Sequence, residues 1–164
     1  MRKGLIPIAL AASLSLCGTA SANPVNRALE ELNTIDSDLA ECWRARALGV
    51  IIVVKFLREC VVTPRGEVRE LRSKLNAQIG TLSGEDTERA DLMDVRLMVD
   101  NLRTFLNQLD AGLKPFGDKI GQSGVDQVLE NVCEQSWSGT VYGSEFRSRT
   151  GGFQRVLPSL CEEL

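Results

Sequence analysis

LMDVRLMVDNLRTFLNQLDAGL, residues 92–113, carries apolar side chains at alternating intervals of three and four residues. This period places them on one face of an α-helix, where they form a seam of about three heptads. The members of the seam are Leu92, Val95, Val99, Leu102, Leu106, Leu109 and Leu113. We expect the helix to pack by this seam inside a bundle of its own chain, against an earlier buried helix. A homodimer formed through the same seam is the alternative.

The same period recurs along most of the chain and predicts an all-α protein. Asn23-Pro24 is typical of a helix N-terminus, and the first helix is expected to end near Asn33. Further helices are predicted over 68–82, over 125–133 and, as a short final helix, over 153–164. The resulting prediction is a single disulfide-stapled helical bundle of about five to six helices with a C-terminal loop rich in glycine and aromatic residues.

The second predicted helix begins at residues 36–38 and continues without a break to Cys60. Its middle, Ala47–Val54, is apolar on all sides, which is the pattern of a helix buried in a bundle. The β-branched residues Val50–Val54 would also suit a buried strand. We favour the helix because the sequence contains no second run of this kind to pair with it.

Residues 1–22 have the pattern of a cleavable secretory signal. Arg2 and Lys3 are followed by an apolar segment and by the small residues Ala20-Ser21-Ala22, a typical cleavage site. The apolar segment is only about 12 residues long, whereas a membrane span needs about 20. We therefore predict export to a bacterial periplasm, cleavage before Asn23, and one mature domain over 23–164.

The charge of the chain argues against several classes of partner. The full sequence has a net charge of −3, and loss of the two basic residues of the signal leaves −5. Nucleic acids and anionic membranes both select basic surfaces. We expect no nucleic-acid partner and no stable membrane insertion, since the longest apolar run of the mature chain, Ala47–Val54, is too short to span a bilayer.

Four cysteines of the mature chain, Cys42, Cys60, Cys133 and Cys161, are expected to form two disulfides. In a continuous helix Cys42 and Cys60 would lie about 27 Å apart, at about 1.5 Å per residue. A disulfide needs Cα atoms within about 7 Å, so this helix would exclude their pairing and join each to a C-terminal cysteine. If the helix breaks at Gly49, the pairs 42–60 and 133–161 become the alternative.

The chain contains no histidine. This excludes a Ser-His-Asp triad, a Cys-His dyad and every histidine-based zinc site. No glycine-rich phosphate loop and no Cys-x-x-Cys motif is present, and the carboxylate pairs at 85–86 and 162–163 lie at predicted turns or ends. We therefore predict no catalytic residues, no metal site and no cofactor.

One segment, residues 137–155, differs in composition from the rest and is called the aromatic loop below. It contains half of the chain's aromatic residues together with arginines and glycines. Aromatic residues and arginine dominate binding hot spots, because they combine a large rigid area with polar groups. We predict that it binds a partner through Trp137, Tyr142, Phe146, Arg147, Arg149 and Phe153. The alternative is that these aromatics cover the open end of the bundle.

These features together predict a protein-binding module whose partner is another protein. Small helical periplasmic immunity proteins have this general appearance, so we expect an inhibitor or immunity protein that neutralises a secreted toxin or a cell-wall hydrolase. An envelope chaperone or assembly factor is a related alternative, which differs in accepting many clients.

A further alternative is a histidine-free enzyme. Arg44, Lys55 and the pair Arg69-Glu70 follow one another in an order that resembles that of exported helical chorismate mutases. The resemblance is confined to residues 44–70 and implies that these side chains act in the interior of a bundle. The long helix departs from the family's pattern, because apolar residues stand where a polar pair is expected: Leu102, Phe105 and Leu106.

Overall fold

A computed structural model describes residues 23–47, 58–115, 122–135 and 158–162. Within these ranges every regular element is helical, which confirms the all-α prediction. The elements are α1 (Pro24–Ala47), a π-helical turn (Arg58–Val62), α2 (Thr63–Thr81), α3 (Thr87–Leu113), α4 (Gln122–Glu134) and a 3-10 turn (Ser159–Glu162). The described ranges thus contain four α-helices rather than the five to six that were predicted.

Helix α1 accounts for part of this difference, because two predicted helices are one. Asn23 caps the helix, its Oδ1 accepting from the Val25 amide at 2.9 Å. Asn33, where the first helix was predicted to end, lies with Thr34 on the exposed face of a continuous α1. The buried face runs through this point unbroken, with Leu32 and Ile35 both in the core.

The prediction of an unbroken helix from residue 36 to Cys60 is wrong. Cys42 and Cys60 form a disulfide with their Cα atoms 5.7 Å apart, far closer than a continuous helix permits. At the other end of the pair of helices, Lys74 Nζ of α2 lies 2.8 Å from Glu31 Oε1 of α1. Helices α1 and α2 are therefore antiparallel neighbours. Residues 48–57, including Gly49 and the proposed strand alternative, lie outside the described residues.

The second disulfide joins Cys133 to Cys161, whose Cα atoms are also 5.7 Å apart. All four cysteines are thus in disulfides, as predicted, but in the pairing that was expected only if the second helix broke. The cause is the antiparallel arrangement of α1 and α2, which brings the last turns of α1 beside the π-helical turn that carries Cys60. Cys60 is fully buried there.

Helix α2 buries one apolar face and begins with a proline. Pro64 lies in the first turn, where a missing amide proton removes no helical hydrogen bond. The chain turns after α2 at Gly84 and Glu85, and Asp86 caps α3 by accepting from the Glu88 amide at 2.9 Å. The buried face of α2 consists of Pro64, Val68, Leu71, Leu75 and Ile79.

Helix α3 is the centre of the bundle and contacts α1, α2 and α4. The predicted seam is buried along its whole length, from Leu92 to Leu113, and Met98 and Phe105 are buried beside it. The prediction that this helix packs inside its own chain is confirmed. Because the seam is already covered, these residues are not available as a surface for a second copy.

Helix α4 packs against the C-terminal end of α3. The contact is close at Gly112, where an added Cβ would lie 2.6 Å from Val128 Cγ1. A glycine at this position lets the two helices approach. Val125 and Leu129 complete the apolar face of α4 in the core. This packing fixes the position of Cys133, one turn further along α4.

Candidate functional site

The six residues predicted to bind a partner all lie between Cys133 and Cys161. The disulfide between these cysteines therefore closes a covalent ring that includes the aromatic loop. The six residues themselves, Trp137, Tyr142, Phe146, Arg147, Arg149 and Phe153, lie outside the described residues. What the structure describes is the base of the ring, formed by α4 on one side and the 3-10 turn on the other.

The 3-10 turn is attached to α1 by a buried carboxylate. Asp36 Oδ1 accepts from the Ser159 amide at 3.0 Å, and Oδ2 of the same carboxylate accepts from the Ser159 hydroxyl. Asp36 is only 5% exposed, and Pro158 and Leu160 on either side of Ser159 are buried as well. Asp36 thus serves as an N-terminal cap for a turn that lies 123 positions away in the sequence.

Asp36 was not predicted as a site residue, although the sequence contains a signal for it. In a continuous α1 it falls on the buried face beside Ile35 and Leu39. A carboxylate on such a face needs hydrogen-bond donors from elsewhere in the fold, because burying an unpaired charge is very unfavourable. The signal was missed because the first helix was expected to end before Asp36, which made this residue part of a solvent-exposed start of the next helix.

Between α1 and α2 lies a second surface feature, a groove of about 250 Å³. We call it the acidic groove, since four of its lining residues carry carboxylates: Glu31, Asp38, Glu67 and Glu70. Thr34 and Ile35 complete the lining. The pKa of Glu67 is raised, mainly by partial burial and to a smaller extent by the negative charges of Asp38 and Glu70. Hydrogen bonds to Glu31 and Glu70, both of which line the groove, raise the pKa of Lys74.

The interface between α2 and α3 differs from the acidic groove in its charges, because opposite charges meet across it. There two arginines of α2 meet carboxylates of α3: Arg65 pairs with Asp110 at 2.7 Å and Arg72 pairs with Asp100. Each of these half-exposed pairs contributes little stability. Together they place arginines of α2 opposite carboxylates of α3. In the acidic groove, by contrast, Glu67 lies near the like charges of Asp38 and Glu70, which contribute to its raised pKa.

The residues of the chorismate mutase resemblance are not gathered in the described interior. Arg44, Arg69 and Glu70 are exposed, and Lys55 lies outside the described residues. Glu70 lines the acidic groove, where it pairs with Lys74 at 3.1 Å. A groove lined by carboxylates is unfavourable for an anionic substrate.

Among residues 23–47, 58–115, 122–135 and 158–162, no group of three or more His, Cys, Asp or Glu side chains is arranged to hold a metal ion. None of the described helices combines the length and the apolar character that crossing a bilayer requires.

The chain matches no protein-family model, no curated protein and no solved structure. No relative therefore assigns a role to any of its residues.

Proposed function

We propose that the chain is an exported protein-binding module, an inhibitor or immunity protein that neutralises a secreted toxin or a cell-wall hydrolase. The observation that carries the proposal is the Cys133–Cys161 disulfide, which closes a ring around the aromatic loop. The ring is anchored at both ends, on α4 through Cys133 and on α1 through Ser159. A segment rich in aromatics and arginine, held at both ends on a helical bundle, loses less conformational entropy on docking than a free segment would.

Two observations support the export part of the proposal. Disulfides form and persist mainly in oxidising compartments such as the periplasm, and the chain has two of them. In addition, α1 is capped by Asn23, the residue that follows the proposed cleavage site. Mass spectrometry of the protein recovered from the periplasm of an expressing bacterium tests this part. A mature chain that begins at Asn23 is expected, and a chain retaining residues 1–22 in the cytoplasm contradicts it.

Partner capture tests the binding part. The oxidised mature chain is immobilised and exposed to periplasmic and secreted protein fractions, and captured proteins are identified after cross-linking. The test variant replaces Trp137, Tyr142 and Arg147 by alanine. The matched control replaces Met93, Leu97 and Arg69 by alanine, which removes two exposed apolar side chains and one exposed arginine from the bundle surface instead.

We expect one partner, captured in a fixed ratio, that is lost with the loop variant and kept with the control. Capture that is unchanged in the loop variant contradicts a role for the aromatic loop. Capture of many unfolded proteins without a fixed ratio favours the chaperone alternative. Consumption of chorismate by the purified chain favours the enzyme alternative.

A further inference from the structure

Helices α2 and α3 face each other in one antiparallel register. Arg65 of α2 donates from Nε to Asn107 Oδ1 of α3 at 3.1 Å, and two turns further along α2 Arg72 pairs with Asp100. From the first contact to the second, the chain advances along α2 by as many residues as it goes back along α3. Because all α-helices have the same rise per residue, antiparallel helices keep such a register along their contact.

This register places two arginines opposite each other. Arg69 follows the first contact by four residues on α2, and Arg103 precedes it by four residues on α3, so both lie at one level of the interface. A third contact, beyond the second, obeys the same register, because Arg96 Nη1 of α3 donates to Asn76 Oδ1 of α2 at 3.3 Å. At these three contacts an arginine meets an oxygen acceptor, whereas at the level between the first two an arginine meets an arginine.

The two carboxylates of this interface are already engaged by other arginines. Asp110 pairs with Arg65 at 2.7 Å. Asp100 pairs with Arg72 through one oxygen, and its other oxygen lies 3.9 Å from Arg96 Nε. Within the part of the chain that the structure describes, the two opposed arginines therefore have no ion pair.

The surroundings of Arg103 make the missing acceptor more significant. Arg103 is only partly exposed, and its Nε is buried without a hydrogen-bond partner. A buried donor of a charged group is unfavourable while it lacks an acceptor, and two like charges at one level repel each other. An anion held between the two arginines would relieve both effects. Arg69 is exposed, so such an anion could reach this level of the interface from solvent.

The whole interface carries an excess of positive charge on a chain whose net charge is −3. Its five arginines face two carboxylates, which leaves three positive charges. The arginines are Arg65, Arg69, Arg72, Arg96 and Arg103. A local field of this sign attracts anions although the chain as a whole repels them.

We propose that Arg69 and Arg103 form a binding site for a doubly charged tetrahedral oxyanion, which is phosphate or the phosphate group of a monoester. A guanidinium donates two parallel hydrogen bonds to phosphate oxygens, so two arginines on facing helices can hold one phosphate from two sides. The excess positive charge favours a dianion over a single carboxylate. This site is separate from the aromatic loop and goes beyond the function proposed above.

A titration of the oxidised mature chain tests the site. The ligands are inorganic phosphate and phenyl phosphate, at about pH 8, where both are mainly doubly charged. Sodium chloride keeps the ionic strength constant, since screening alone changes surface electrostatics. The ¹⁵N chemical shifts of the arginine Nε–H groups report binding, and we expect saturable shifts at Arg69 and Arg103. Equal affinities support a site for the free anion, and tighter binding of phenyl phosphate supports a site for a monoester.

Substitutions of the two arginines should weaken phosphate binding. Arg69→Gln and Arg103→Gln each remove hydrogen bonds to a charged group, which corresponds to an affinity loss of about tenfold or more. The matched control Arg27→Gln removes an exposed arginine of α1 and should leave the affinity within about twofold. Arg69→Lys keeps the charge but loses the bidentate geometry, so its affinity should lie between those of the original chain and Arg69→Gln.

Three results would each overturn the site: no saturable shift with either ligand, equally tight binding of acetate, or unchanged phosphate affinity in Arg69→Gln. The exposed position of Arg69 keeps the test decisive even if Arg103→Gln does not fold. None of these measurements involves a protein partner, so the site and the proposed function can fail separately. The control variant for partner capture, which lacks Arg69, should accordingly keep its partner while losing phosphate binding.

Discussion

Gly112 of α3 lies so close to Val128 of α4 that a Cβ at Gly112 would stand 2.6 Å from Val128 Cγ1. Carbon atoms in contact normally lie about 3.5–4.0 Å apart, so the two helices can be this close only because position 112 has no side chain. Val128 cannot move aside easily, because a β-branched side chain in a helix has one strongly preferred rotamer. Since α4 carries Cys133, this contact also positions one end of the ring.

Gly112→Ala is therefore expected to destabilise the protein, although alanine is the better helix former. The clash should outweigh the gain in helix propensity and lower the free energy of unfolding by about 1–3 kcal/mol. Gly66→Ala in α2 is the matched control, because nothing lies within 4 Å of its added Cβ, and it should stabilise by about 0.5–1 kcal/mol. Urea denaturation measures both. Equal effects of the two substitutions contradict the close contact.

The centrality of α3 predicts a strong contrast between two leucines of the same helix. Leu106 is fully buried, whereas Leu97 is 43% exposed. Leu106→Ala should lower the free energy of unfolding by about 2–5 kcal/mol, because it removes apolar atoms that are buried on folding and leaves a cavity in their place. Leu97→Ala should change it by less than about 0.5 kcal/mol. Thermal and urea unfolding check the pair, and similar losses at both positions disagree with the described packing.

The raised pKa of Glu67 predicts a pH-dependent gain from removing its charge. Because the folded-state pKa lies above 4.5, the ordinary value for a glutamate, the folded protein retains the Glu67 proton more readily than the unfolded chain does. The contribution of Glu67 to stability therefore falls as the pH rises from the unfolded-state pKa through the folded-state pKa. At neutral pH the charge of Glu67 is unfavourable for folding.

Glu67→Gln should accordingly raise the free energy of unfolding at pH 7, and the gain should vanish below pH 4.5, where both states are protonated. Glu130→Gln, at an exposed glutamate of α4 outside the acidic groove, is the control. Urea unfolding of the three proteins at several pH values measures the difference. A gain that persists unchanged at low pH rules out the groove's carboxylates as its source.

The disulfide pairing predicts a specific peptide map. Non-reducing digestion followed by mass spectrometry should find Cys42 linked to Cys60 and Cys133 linked to Cys161. Replacing Cys42 and Cys60 together by serine should lower the free energy of unfolding by about 2–4 kcal/mol. Links from Cys42 or Cys60 to either C-terminal cysteine contradict the antiparallel placement of α1 and α2.

The sequence predicted correctly those features that depend on the apolar period within a single helix. The α3 seam from Leu92 to Leu113 is buried as predicted, and α2 (Thr63–Thr81) contains most of the helix predicted over 68–82. The period of a helix is a property of neighbouring residues, so a sequence window of a few turns contains it in full.

The end of the first helix was predicted wrongly, because tertiary packing and not the local sequence decides where α1 ends. Asn33 and Thr34 look like a helix end, yet they lie on the exposed face of a helix that continues because Leu32, Ile35 and Leu39 are buried in phase on the other side. Packing of an amphipathic face supplies most of the stability of a helix in a protein and overrides weak local breaking signals.

By itself, the sequence determined the all-helical class, the buried seam of α3 and the absence of histidine chemistry. Only the tertiary structure decided which cysteines pair and that Asp36 meets Ser159. Both depend on contacts between residues far apart in the chain, because the antiparallel packing of α1 on α2 brings Cys42 to Cys60 and the return of the C-terminus to α1 brings Ser159 to Asp36. Such contacts are set by which apolar faces bury one another, and no single segment contains that information.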